Sequence, residues 1–279
     1  MTKTEQELLR EWEDASDAER SPMTEKKWLY EARFAWRLDD RYGEENLLRL
    51  DSIADFIQEN ASKRKLRLFA AACCRRIEHL LTDCVGRQAI EMAERIADGE
   101  RTGVQVLELA NSVWGHAFFY IDQGDEEKRE YRVGYHGLSA VYDSLQNVFP
   151  PTRRLTECKP NVKKVAIQAA WATAHFQRSG DDEIDWAAFC QECKEQLSLL
   201  YDLFPNPFRP ITIDPRWLTS TVVDLANTIY QDRAWDRMPL LADTLMDAGC
   251  DCEEIIAHCR SDGPHVRGCW VVDQLLGKK

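Results

Sequence analysis

Residues 62–82, SKRKLRLFAAACCRRIEHLLT, place Leu66, Phe69, Ala70, Cys73, Ile77 and Leu80 on one stripe of 3.6-residue period. A helix with such a stripe must bury it against other helices. The same pattern recurs in VGRQAIEMAERIADG, GVQVLELANSVWGHAFFYI, NVKKVAIQAAWATAHFQ and IDWAAFCQECKEQLSLLYDLF. Segments of this length, each ending near Gly, Pro or a polar cluster, predict an all-α fold, an irregular helical bundle or array of about ten helices. Cys73 on the stripe reads as a small apolar residue.

Prolines and charge set the boundaries. Residues 1–22 are acidic and poor in apolar surface, and read as an N-terminal extension. A helical domain is expected over 23–203, with an irregular segment at 122–160 where DQGDEEKREY is followed by FPP and CKP. Four prolines in FPNPFRPITIDPRWL exclude a helix over most of 204–218, yet its apolar residues are too many for a free linker. That stretch is expected to strap a C-terminal helical subdomain, 204–279. Four short helices should follow it. Thr219, Ser220 or Thr221 would cap the first; Asp236 would cap the second, with Pro239 in its first turn and Gly249 stopping it. Asp251 with Glu254 spaces like a capping box, and Ser261 or Asp262 before Pro264 would start the fourth.

The formal net charge of −12 disfavours bulk attraction to nucleic acid or an anionic membrane surface. Lys63, Arg64, Arg67 and Arg75 do share the far side of the first helix. Solvation or pairing with the abundant carboxylates is the expectation for that basic face, and nucleic-acid binding through 63–76 is the third functional reading. No run of 18 apolar residues is present, and the start of the chain lacks a basic, apolar leader. A cytoplasmic protein with reduced thiols is expected, its ten cysteines scattered through helical patterns.

The phrases MTEKKWL, KLRLFAAACCRRIEHLL, NPFRPITIDPRWLTSTVVDLANTIY and LADTLMDAGCDCEEIIAHCRSDGPHVRGCWVVDQLLGK resemble an uncharacterised family of bacterial hypothetical proteins. The likeness covers both flanks of the chain, with the middle divergent. It implies a start near Met23 and brings no established activity, so no site residue carries over from it. Position 252 is commonly not a cysteine in that family.

The last stretch, 246–279, holds four of the ten cysteines and two of the six histidines. Three readings apply. A zinc site would draw on Cys250, Cys259, His265 and Cys269, with His265 and Cys269 four apart on one helical face. His258 and Cys259 point about 100° apart on a helix, so at most one of them joins a site. A nucleophilic cysteine would use Cys259 with His265 as base and Asp273 or Asp262 as orienter. The preferred reading buries Cys250, Cys259 and Cys269 as small apolar groups beside Trp270, with His265 held by a cap or a carbonyl. Trp114, His116, Phe118, Phe119 and Tyr120 are expected in the core. Tyr131, Tyr135, His136 and Tyr142 are expected in ordinary packing. The functional expectation is an intracellular helical scaffold or protein-interaction protein with a protein partner, without membrane or cofactor. The alternative is an enzyme or zinc-binding protein using the terminal Cys/His segment.

Overall fold

The computed structural model describes residues 23–25, 27, 28, 53–81, 84–100, 103–122, 129–145, 160–177 and 185–278. Residues 1–22 lie outside that set, as do 146–159 with their prolines. The architecture is an all-α helical array, and none of the described residues is in a strand. No helix among them is long and apolar enough to cross a membrane. The chain divides into two compact units between Leu197 and Ser198, earlier than the expected boundary after 203.

The first unit is built on α1 (Lys63–Arg76), α2 (Cys84–Ala97), α3 (Gly103–Asp122), α4 (Arg129–Leu145), α5 (Val162–Phe176) and the start of α6 (Trp186–Leu203). Ser62 opens α1, its hydroxyl accepting from the Lys65 amide. The predicted stripe from Leu66 to Leu80 is buried throughout. So are Leu68, Ala71, Ala72 and Cys74, which makes α1 central; Arg67, placed on the solvent side by the pattern, is buried too.

The other arginines of α1 are held by carboxylates. Arg75 forks onto Glu94 of α2 at 3.0 Å and onto Glu78. Arg76 forks onto Glu192 of α6 at 2.9 and 3.1 Å. Arg64 pairs with Asp98. Planar guanidinium groups suit such bidentate contacts, and the buried Glu94 and Glu192 need them.

Two expectations are corrected here. The segment 122–160 is not irregular over 129–145, which is α4 and packs most extensively on α5. Its buried Val133, Leu138, Val141 and Leu145 form a helical stripe around small Ala140 and Gly137. Neighbouring tyrosines and glycines obscured that period. Most of the aromatic group of α3 is also not core: Trp114, Phe118 and Phe119 are 44%, 51% and 55% exposed and His116 is exposed, while the Tyr120 side chain lies outside the described set. Val106, Ala110, Val113 and Ala117 carry the buried side of α3 instead. Spacing at i, i+4, i+7, i+11 sets the inward face, and the rings lie off it.

The second unit holds the end of α6, then α7 (Ser220–Asp232), α8 (Met238–Asp247), α9 (Glu253–Cys259) and α10 (Trp270–Leu275). Residues 204–214 are non-helical, and Pro215–Trp217 is a 3₁₀ turn capped by Asp214. Ile211, Ile213 and Trp217 pack on a core of Val222, Ile229, Tyr230, Leu241, Leu245, Ile255 and Val272. Thr219 caps α7, accepting from Val222. Asp236 sits in the 3₁₀ turn before α8 and makes no cap bond, and Cys252 rather than Asp251 occupies the N-cap of α9.

Gly249 stops α8 as expected. Its φ of 86° lets the Gly249 and Cys250 amides reach back to Met246 and Leu245 carbonyls at 2.9 Å. An added Cβ would meet nothing within 4 Å, so only backbone strain opposes it. Gly249→Ala is expected to cost about 1–2 kcal/mol in urea unfolding. An unchanged midpoint would show that the turn relaxes.

The fourth helix begins at Trp270, not at Pro264. The Val266 amide, which a helix from Pro264 would keep near its own start, donates to the Asp202 carboxylate instead. That acceptor lies on α6, so no local signal announces it.

Candidate metal centre

Four potential ligands meet in the second unit: Asp202, His258, His265 and Cys269. Asp202 lies in the last turn of α6 and His258 in the last turn of α9. His265 sits in the connection that follows, and Cys269 is the N-cap of α10. The Ser261 hydroxyl donates to the His258 carbonyl at 2.8 Å, and the Cys269 amide to the Val266 carbonyl at 2.9 Å. These bonds set the course of the backbone between the two histidines and the thiol.

Asp202 is the hub. Its Oδ1 accepts from His265 Nδ1 at 2.7 Å and faces His258 Nε2 at 3.2 Å. Its Oδ2 accepts from the Val266 amide at 2.9 Å. Burial pushes the Asp202 carboxyl up, but His258 and His265 outweigh it and hold the group below the ordinary carboxylate range. His258 Nε2 also lies 3.2 Å from Cys269 Sγ. The Trp270 indole N–H donates to His258 Nδ1 at 3.1 Å. Because an indole can only donate, His258 accepts at Nδ1 and carries its proton on Nε2.

One ligand atom from each residue lies within 4.8 Å of all the others. A tetrahedral zinc with bonds of 2.0–2.3 Å separates its ligand atoms by about 3.3–3.7 Å, so closure needs shifts of roughly 1 Å. Side chains are nearly out of solvent: 3% exposed for Asp202, 6% for His265 and 15% for His258, with Cys269 fully buried. His265 Nε2 is buried and meets no hydrogen-bond partner among the described residues.

Of the residues expected to bind zinc, the cluster takes His265 and Cys269. Cys250 and Cys259 are buried in the hydrophobic core, where burial pushes the Cys259 thiol up to about 12. Asp202 and His258 stand in their place. His265 is held by Asp202 rather than by a cap or carbonyl, and it does not share a helix with Cys269. Of the set Cys259, His265 and Asp273, Cys259 is buried with its thiol pushed up, His265 donates to Asp202, and Asp273 is buried in the first turn of α10. Burial and Asp202 likewise push the Cys269 thiol well above its ordinary value. Sequence spacing offered His265 and Cys269, and the helical angle between His258 and Cys259 required a choice. The choice of His258 depended on where the core lies.

Fold and site together define an all-α protein with a buried, mixed Asp/His/His/Cys cluster suited in chemistry to a transition metal. Comparison with protein-family models, with curated proteins and with solved structures finds no match.

Proposed function

We propose that this chain is a zinc-binding helical protein in which the cation ties the end of α6 to the turn between α9 and α10. The convergence of Asp202, His258, His265 and Cys269 carries this reading. One thiolate, two imidazoles and one carboxylate suit Zn²⁺, whereas Mg²⁺ and Ca²⁺ take oxygen shells. Four protein ligands close the coordination sphere and leave no position for a substrate, which is the pattern of a structural site. That agrees with a scaffold or protein-interaction role. None of the nine described cysteines is joined in a disulfide, in keeping with a reducing compartment such as the cytoplasm.

Protein purified without chelator is expected to carry one zinc per chain by elemental mass spectrometry, and Cys269→Ser to lose most of it. Zinc far below one per chain, even after incubation with the ion, would sink the reading. The Trp270–His258 bond favours a second account, in which the four side chains form a hydrogen-bonded tie alone.

A further inference from the structure

We infer that Trp270 sets the metal affinity of this centre, opposing the cation through His258; the inference rests on the zinc reading above. His258 faces Asp202 and Cys269 with Nε2, so Nε2 is the atom it offers to a cation. That atom carries the ring proton as long as Nδ1 accepts from the Trp270 indole. Coordination through Nε2 leaves a neutral imidazole with its hydrogen on Nδ1. Nδ1–H and Nε1–H would then be two donors 3.1 Å apart, with no lone pair between them. The indole must turn away for the metal to bind.

His258 and Trp270 ring centroids are 5.0 Å apart with the planes tilted by 54°, so the contact is edgewise and the N–H is its polar part. Trp270 is also the first residue of α10 and is 5% exposed. Its displacement therefore reports occupancy to the start of the last helix. Trp270 is a positioning residue, acting through its hydrogen bond to His258.

The test uses the full chain and zinc ion, titrated against a competing chromophoric chelator. Trp270→Phe keeps an aromatic ring but offers no donor. Wild type must break a hydrogen bond to bind and the variant need not, so the variant is expected to bind zinc roughly three- to tenfold more tightly. Equal or weaker binding by a folded variant overturns the inference while leaving the zinc site standing. Failure of wild type to bind zinc overturns both. Should the variant not fold, imidazole ¹⁵N correlation spectra of the wild type decide. A move of the His258 proton from Nε2 to Nδ1 on adding zinc, with a shift of the Trp270 indole resonance, supports the inference. A zinc-loaded protein in which neither changes refutes it.

Discussion

Asp202→Ala is expected to destabilise the C-terminal unit by about 3–5 kcal/mol, because each buried donor left without an acceptor costs about 1–3 kcal/mol. Three donors lose their acceptor at once: His265 Nδ1–H, His258 Nε2–H and the Val266 amide. None of them is well placed to turn to water, because Asp202 and His265 side chains are only 3% and 6% exposed. Urea unfolding followed in chelator isolates this effect from metal binding. A loss under about 1 kcal/mol, the size of one ordinary hydrogen bond, would show that the carboxylate is not the hub.

The same residue gives the unit a pH dependence of known sign. The folded Asp202 carboxyl lies below its unfolded value, so the unfolded chain takes up the proton first as pH falls. Its contribution is fully present above the unfolded pKa of about 3.9 and is lost as the pH drops toward the lower folded value. In Asp202→Ala that part of the acid transition should disappear. An acid limb identical to wild type would contradict the assignment.

Cys259→Asp is expected to cost several kcal/mol, about 3–5, by placing an unpaired charge in an apolar core. Cys259 is fully buried in the same core as Ile255, Leu245 and Val272, and after burial itself Cys250 and the anionic Asp202 push its thiol up, neither of them a partner for an added carboxylate. Cys259→Ala removes one sulfur and should cost only about 1 kcal/mol. Zinc content should be unchanged in the alanine variant, since Cys259 lies outside the cluster. With its thiol pushed up to about 12, native Cys259 should react with iodoacetamide only through unfolding, long after the exposed Cys84. Rapid selective labelling at Cys259 would revive the nucleophile.

Much of the fold was legible locally, and the reason is periodicity. The stripe from Leu66 to Leu80, the Thr219 cap and the Gly249 stop each depend on residues within a turn or two, and each is present. α4 was not legible, because aromatic and glycine residues diluted the stripe of Val133, Val141 and Leu145. α3 was legible as a helix but not in its orientation. Its large rings drew attention from the small residues that face inward.

The terminal segment divides along the same line. Its sequence alone determined that His258 and Cys259 could not both join one site, since adjacent helical side chains diverge by about 100°. It also determined that His265 and Cys269 were near enough along the chain to act together. Only the tertiary structure decided that His258 turns to the cluster and Cys259 to the core, because the packing of α9 on its neighbours sets that rotation. The tertiary structure alone also supplied Asp202, 63 residues from His265 along the chain. A carboxylate on α6 that captures the Val266 amide and two imidazoles outweighs the local start signal at Pro264, and α10 begins at Trp270 instead. No spacing rule reaches across that separation; a buried anion finds its donors through the fold.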